Sequence, residues 1–491
     1  MRIKELFPHL NLKKETGELK VKGISDDSRL TKKGDIFFVR ERKNFDIFSV
    51  LRDVEEKAVV YVGGLKHKEE LKRLTRKPII FVNEIEWEFH RAADFFYGFR
   101  RNDLKFIGVT GTNGKTTVAY LIYHFLKKLG EKVSLIGTVN YFIGEKVYAA
   151  KYTTPGYLTL RKLFKEIKDN GGRFVVMEAS SHAIAQKRVE GIDFLRCVFT
   201  NLSRDHLDYH KTFKNYFNTK RKLFLHNKNS PALINIDDFY GRKLLKELKG
   251  AFSYGVDSAA DFRARNIRLT KVKTRFDLVY RKESHRMETQ LLGRHNILNI
   301  LAAAGTLFSL GFPLASIVKL VPLFNPVEGR LEQVAPGIFL DYAHTPDAFK
   351  KVFLTLKEIG YEKIICVFGC GGDRDRGKRK IMGKIACELA DFNFITSDNP
   401  RNEDPIEICC QIKKGFSKGN YFIMPNRKKA IRQAVKLFNQ SKKRKCRNFC
   451  ILVAGKGHER YQIIGDKKLP FKDRDVIKEE VRSRGGPCVR P

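Results

Sequence analysis

Acidic side chains are in short supply in this 491-residue chain. There are 55 Asp and Glu against 95 Lys and Arg, a formal net charge of +40. Long apolar runs are missing too. No window approaches the ~18 uninterrupted apolar residues of a membrane span, so a membrane-embedded protein is not expected. The first stretch, MRIKELFPHLNLKKETGELK, lacks the apolar centre of a secretory signal, and its Glu5, Glu15 and Glu18 suit a transit peptide poorly. Paired cysteine motifs are absent: the nine cysteines are scattered, with one adjacent pair at Cys409–Cys410 and no CxxC. That argues against a structural zinc site or a disulfide framework and for free thiols in a reducing cytoplasm. Internal repeats and low-complexity tracts are lacking as well.

The positive balance raises the question of a polyanionic partner. Lys and Arg are spread along the whole chain, and the densest run, SKKRKCR at 441–447, is short. No paired RNP aromatics or Cys/His fingers accompany them. A solvated basic surface accounts for such a pattern, and no specific nucleic-acid site is expected.

What is present is an alternation of short apolar runs and amphipathic segments. GDIFFV (34–39), KAVVYVG (57–63) and KPIIFV (77–82) read as buried strands, and FHRAADFFYGF (89–99) as a helix closing that unit. LKFIGVTG then leads through a loop into KTTVAYLIYHFLKKLG, with Gly130 as its C-terminal cap. RFVVMEAS (173–180) is another short strand, and HNILNILAAAGTLFSLG (295–311) a helix. After VEGRLEQV (327–334) the pattern restarts with the strands KIICVFG, FNFITS and NFCILVAG. Alternation of this kind predicts an α/β protein with doubly wound parallel sheets. The expected domains are 1–100, 101–331 and 332–491, with a disordered tail at 482–491.

The loop GVTGTNGKTT (108–117) carries the chemistry. A strand entering a Gly-rich turn that opens a helix presents backbone N–H groups to phosphate at the positive helix end. Lys115 adds a point charge for the β- and γ-phosphates, and the Thr116 hydroxyl can complete a Mg²⁺ shell. The strict Walker pattern wants Gly where Val109 stands, with Gly108 one place early. Glu178 ends an apolar strand, where a second Mg²⁺-directed acid would sit, although acids at strand ends are often mere solvation. FTNLSRDHLDYHKTF (199–213) packs Asp205, His206, Asp208 and His210 into one stretch without Cys. Near a phosphate loop this suggests Mg²⁺ and phosphate chemistry rather than zinc. GCGGDR (369–374) is no dinucleotide fingerprint, because Arg374 stands where a third small residue is needed.

Taken in order, TGTNGKTT (110–117), MEASSH (177–182), NLSRDHLDYH (201–210), YFNTK (216–220), DYAHTPDA (341–348), FGCGGDRDRGKR (368–379), DNPR (398–401) and GKGHE (455–459) resemble the Mur ligase family. The resemblance runs from about Asp27 to about residue 475. Its TGTNGKT is that family's own form of the phosphate loop. It implies a uridine-binding α/β domain, a central ATPase-type sheet and a Rossmann-like C-terminal domain. It further implies ATP-dependent formation of an amide bond through an acyl phosphate, in peptidoglycan precursor synthesis in the cytoplasm.

The resemblance also implies site residues. ATP falls to Gly111, Thr112, Asn113, Gly114, Lys115, Thr116, Thr117, Asn296, Asn299, Arg330 and Asp341. Two Mg²⁺ ions fall to Thr116, Glu178 and His206, with Lys220 as a carbamate made from CO₂; Lys115, Lys220 and His206 form the catalytic set. The nucleotide sugar, UDP-MurNAc-L-Ala-D-Glu, falls to Ser28, Thr153, Thr154, Ser180, Gln186 and Arg188. The acceptor, meso-diaminopimelate, falls to Arg374, Asp398, Asn399, Pro400, Arg401, Gly455 and Glu459. In that pocket an Arg401 fork would bind the far carboxylate, and Glu459 with the Asn399 side-chain oxygen would accept from the ammonium. A monomer is expected.

The chain departs from the family in places. RERKNFDIF (40–48) replaces a Gly-bearing loop near the uridine, His295 stands before Asn296, Glu328 before Gly329-Arg330, Asn426 before Arg427, and Gly156 follows TTP. Outside the enzyme reading, an inactive relative serving as a structural or nucleic-acid-associated subunit would suit the charge. Retention of Lys115, Glu178, His206, Lys220 and Arg401 argues against decay.

Overall fold

A computed structural model describes residues 1–41, 46–443 and 448–483. Residues 42–45 of the divergent loop, 444–447 of the basic run and 484–491 of the expected disordered tail lie outside the described residues.

The chain forms two compact units. The first holds Met1–Lys105 together with Pro155–Arg173 and Gln186–Asp193; the second holds Phe106–Thr154, Phe174–Ala185 and Phe194–Pro491.

The first unit is built on four parallel strands, Gly23–Ser25, Asp35–Val39, Ala58–Gly64 and Ile79–Val82. Asp35–Val39 is buried throughout, the condition of a parallel strand covered on both faces. Helix Ile85–Phe96 buries Phe89, Ala92 and Ala93 against the sheet. It begins earlier than the apolar run suggests because Glu86 and Glu88 fill its first turn and suit the positive helix end. A helix from later in the chain, Tyr157–Asp169, completes this unit. Its Arg161 is fully buried, donates to Asp94 at 2.6 Å, and lies 4.0 Å from the Tyr157 ring centre and 4.1 Å from that of Phe99.

The second unit contains an 11-stranded sheet and a six-stranded one. In the larger, Lys105–Thr110 lies between Phe194–Phe199 and Phe174–Glu178. Strands toward the middle pair in parallel, but both margins are antiparallel: Phe262–Leu269, Thr274–Tyr280 and Glu283–Thr289 on one side, Asn140–Ile143 and Lys146–Ala149 on the other. These antiparallel margins flank the expected parallel strands. TRFDLVY alternates because one face packs on the core and the other meets water, and hairpins of this kind leave no helical segment to announce them. Helices Lys115–Lys128 and Arg294–Ser309 share the central apolar core.

In the smaller sheet, Ile338–Asp341, Phe449–Ala454, Lys363–Phe368, Phe392–Ile395 and Tyr421–Ile423 run parallel in that order, with Glu332–Ala335 antiparallel at the edge. Alternate residues feed separate cores: Ile364, Cys366 and Phe368 one, Ile365 and Val367 the other. That is the mark of a sheet covered by helices on both faces. Among the described residues no helix is long and apolar enough to cross a membrane, and the described cysteines are free thiols.

Candidate active site

The phosphate loop forms because its glycines leave room that no side chain could share. Gly111 takes φ +143°, and a Cβ there would stand 1.9 Å from Thr200 Oγ1; Gly114, at φ +86°, would press on Asn299 Oδ1 at 2.6 Å. The loop thus closes tightly ahead of helix Lys115–Lys128, presenting amides to an anion. Lys115 Nζ donates to the Gly111 and Thr112 carbonyls at 3.1 and 2.8 Å. Burial lowers its pKa, opposed by the charges of Glu178 and Asp205. Thr112 Oγ1 lies 3.1 Å from the Tyr216 hydroxyl, Asn113 Nδ2 donates to Asp347 at 3.0 Å, and Thr117 is buried in the helix's first turn.

Thr116 and Glu178 meet. Thr116 Oγ1 donates to Glu178 Oε2 at 3.1 Å, and the Thr138 amide and hydroxyl donate to the same carboxylate at 2.7 and 2.9 Å. Arg330 Nη2 donates to Thr116 Oγ1 at 3.1 Å and lies over the Tyr342 ring. Hydroxyl and carboxylate oxygens are the donors Mg²⁺ prefers. Among the described residues no group of three or more His, Cys, Asp and Glu stands together for a metal. A Mg²⁺ held here would therefore share its shell with phosphate oxygens and water.

Lys220 comes to the same loop from helix Phe213–His226, whose start is capped by Thr212. Its side chain is buried, and Nζ donates to Gly111 O at 2.7 Å. Burial first, and Lys115 second, push its pKa well below that of a free lysine. Beside it, His206 holds the left-handed φ of +53°, a strained conformation that clusters at functional sites. His206 Nε2 lies 3.3 Å from Asp205 Oδ2, His344 Nε2 3.6 Å from the same atom, and the His182 ring 4.6 Å from that of His206. Burial raises the Asp205 pKa, but hydrogen bonding from His344 and the charges of His206 and Lys378 outweigh it and leave the carboxyl low. Burial takes His206 down to about 3. His210 is spoken for by Ser181 Oγ at 2.9 Å. His182 and His344 stand inside recognisable motifs, but nothing in their spacing marks them out.

Asn296 and Asn299 stack one turn apart: Asn299 Nδ2 donates to Asn296 Oδ1 at 2.9 Å. Asp341 accepts from Leu331 N at 2.5 Å, and its pKa rises to about 6 through burial, opposed by Arg330. The residues expected at the nucleotide sugar are divided between the units. Ser28, Gln186 and Arg188 belong to the first, where Arg188 Nε donates to Gln186 at 2.9 Å. Thr153, Thr154 and Ser180 belong to the second, where Thr154 Oγ1 donates to Glu178 O at 2.6 Å and to Ser180 Oγ at 3.2 Å.

The residues expected at the acceptor gather at the carboxyl ends of the smaller sheet's strands, where doubly wound folds bind ligands. Arg401 Nη1 donates to Gly372 O at 2.7 Å, and Arg374 is exposed nearby. Gly455 fits against Asp398, since a Cβ would lie 2.7 Å from its Oδ2. Pro400 is buried and its carbonyl packs against Gly372. One expectation is corrected here. The Asn399 side-chain oxygen is not free for a ligand's ammonium, because Lys456 Nζ and Ile463 N both donate to it at 3.0 Å. Lys456, fully buried, also donates to Glu459 Oε2 at 2.7 Å, and Asn399 Nδ2 donates to that same oxygen at 2.8 Å. Reading GKGHE as a motif leaves this lysine unassigned.

A glycine-rich loop opening a helix on one sheet and a cluster of charged side chains at the strand ends of the next, in a single compact unit, fit an ATP-dependent ligase. Models of the Mur ligase middle domain and of the Mur ligase, glutamate ligase domain match residues 109–307 and 329–457. The UDP-N-acetylmuramoyl-L-alanyl-D-glutamate--2,6-diaminopimelate ligase of Clostridium tetani is 39% identical over 491 residues, covering 98% of this chain and 99% of that protein. The chain belongs to the Mur ligase family. The like-named ligase of Geobacillus thermodenitrificans is 38% identical, with 95% and 96% covered. A solved structure of a ligase of that name superposes with a TM-score of 0.66 at 28% identity, covering 99% of this chain and 100% of that one. The MurF ligase of Thermotoga maritima in complex with ADP reaches 0.64 at 16% identity, with 95% and 99% covered, and speaks for the fold alone.

Proposed function

We propose that this chain joins meso-diaminopimelate to the D-glutamate of UDP-MurNAc-L-Ala-D-Glu, with ATP converted to ADP and phosphate. The observation that carries the reading is the physical link between the phosphate loop and the sheet holding the acceptor loops. Asn113 bonds Asp347, Arg330 bonds Thr116, and Arg204 pairs with Asp375 at 3.1 Å.

A carboxylate resists attack by an amine because its leaving group would be oxide. Transfer of the γ-phosphoryl group to the carboxylate oxygen, with ADP departing, gives an acyl phosphate. The amine of the acceptor then adds to the acyl carbon, and phosphate leaves from the tetrahedral intermediate. The loop amides and Lys115 bind and align the phosphates whose charge must be stabilised in transfer. Lys115 releases the Gly111 and Thr112 carbonyls to do so. Thr116 and Glu178 would hold one Mg²⁺ and His206 would help to hold a second; Mg²⁺ supplies Lewis-acid neutralisation of phosphate charge. Lys220 is the residue for a carbamate. Its lowered pKa favours the neutral amine that captures CO₂, and the anion so formed would face Lys115. Asn296, Asn299, Arg330 and Asp341 are assigned to the nucleotide, and Ser28, Thr153, Thr154, Ser180, Gln186 and Arg188 to the UDP-sugar.

At the acceptor, the Arg401 fork reads the far carboxylate, a charge-assisted contact worth about 1.5–3 kcal/mol. L-lysine lacks that carboxylate and would leave the guanidinium unpaired in a half-buried site, so discrimination should be large. The test is kcat/KM for meso-diaminopimelate and L-lysine in the wild type and in Arg401→Ala. We expect the wild type to prefer meso-diaminopimelate strongly and the variant to lose most of that preference. A wild type that favours lysine, or a variant with an unchanged ratio, sinks the assignment.

A further inference from the structure

The hairpin formed by Tyr461–Ile464 and Lys467–Pro470 lies along the acceptor motif Asp398–Arg401 like an added strand. Gln462 Nε2 donates to Asp398 O at 2.7 Å, and Ile463 N to Asn399 Oδ1 at 3.0 Å. Arg401 N donates to Ile463 O at 3.1 Å, and Gly465 N to Arg401 O at 2.8 Å. These bonds hold Arg401 at φ +53°, a left-handed backbone that a non-glycine residue keeps only when its surroundings impose it. Beneath, the fully buried Lys456 closes a triangle with Asn399 and Glu459.

We propose that Lys456 and this hairpin set acceptor choice, Lys456 by its charge and the hairpin by fixing the arginine's backbone. The proposal rests on the acceptor reading given above. The charges about Arg401 are Arg374 and, through the triangle, Lys456, against Asp373, Asp398 and Glu459. With Arg401 they balance; without Lys456 one negative charge would be in excess. The far end of diaminopimelate carries an ammonium and a carboxylate and is neutral, so a balanced pocket suits it. The far end of lysine is a lone cation, which the balanced pocket does not attract and a pocket without Lys456 would. Lys456 thus acts on lysine at a distance, touching Glu459 and Asn399 while Arg401 takes the carboxylate. It is a positioning residue whose charge also cancels the pocket's pull on a lone cation, a use of charge for specificity. Because Lys456 already occupies Asn399 Oδ1 and Glu459 Oε2, the acceptor's ammonium is left with Glu459 Oε1 and the Asp398 carboxylate.

The experiment measures kcat and KM for both amino acids, and KM for ATP and for the UDP-dipeptide, in full-length wild type, Lys456→Met and Gln462→Ala. Folding is checked by circular dichroism. In Lys456→Met the ratio of kcat/KM for meso-diaminopimelate to that for lysine should fall by about tenfold or more, partly through a gain on lysine. In Gln462→Ala, kcat/KM for meso-diaminopimelate should fall about two- to tenfold, and the preference should narrow. The KM values for ATP and the UDP-dipeptide should stay within about twofold in both. A folded Lys456→Met with the wild-type ratio overturns the inference. If that variant does not fold, an unchanged preference in Gln462→Ala overturns it. A wild type that turns over neither amino acid would undo the functional reading itself, a different result from a wild type that uses diaminopimelate beside indifferent variants.

Discussion

Lys115 and Lys220 share one loop yet are asked to do opposite things. In the proposed reaction Lys115 must remain a cation against phosphate, and Lys220 must give up its proton to become a carbamate. The structure gives both the same neighbour, Gly111 O; burial lowers both pKa values, but Glu178 and Asp205 oppose it at Lys115, whereas Lys115 adds to it at Lys220. Lys115→Ala should therefore fold normally and lose at least about 10²–10³-fold in kcat, the scale of one missing electrostatic donor. Undiminished turnover at saturating ATP would remove Lys115 from the phosphate site. Lys220→Ala should be nearly inactive and partly restored by a short carboxylate such as acetate, since what is missing is an anion in a residue-sized gap. Full activity with an unmodified Lys220 amine, seen by mass spectrometry of the intact protein, would dispose of the carbamate. Sequence could name both lysines because each sits at a set distance from a motif. It could not name Lys456, whose role depends on Asn399, 57 residues away.

At the scale of elements, the strands and the phosphate-loop helix were legible because burial on both faces writes continuous apolar runs. The antiparallel margins and the docking of helix Tyr157–Asp169 were not: TRFDLVY alternates and that helix buries Tyr157, Leu160, Phe164 and Ile167 at helical spacing, but neither local period names the partner it packs against. The link between Arg427 and Asp473 belongs to this second kind. Both side chains are fully buried and paired at 2.8 and 2.6 Å, and Arg427 Nη2 also donates to Ala454 O at 3.0 Å. The pair thereby ties helices Arg427–Lys443 and Asp473–Arg482 to the strand end that precedes Gly455. Asp473→Ala leaves a guanidinium buried without its counter-charge and should cost about 3–5 kcal/mol in chemical denaturation. The double replacement Arg427→Met with Asp473→Leu should cost clearly less, because it removes the orphaned charge along with the pair. Equal losses in the two proteins would show that packing, and not charge, holds these helices.

For the molecule as a whole, the charge of +40 is legible in the sequence but its arrangement is not. The antiparallel margin shows how it is carried. Arg265, Arg268, Arg275 and Arg286 are exposed on its strands, and two of them are already engaged: Arg275 with Glu288 at 2.6 Å, Arg286 with Asp277 at 3.9 Å. Charges of this kind are spread among carboxylates and offer a polyanion attraction without a fixed register. Nothing in such a surface reads bases, so association with nucleic acid should be weak and indifferent to sequence. Its strength should come from released counterions, which makes log K fall linearly with log salt. Titrating duplexes of unrelated sequence from about 50 to 200 mM salt should then give one common, steep line, with binding lost near physiological ionic strength. Duplexes that separate from that line, or tight binding that survives at about 150 mM salt, would mean that the basic surface contains a built site and that the chain has a second partner besides its small-molecule substrates.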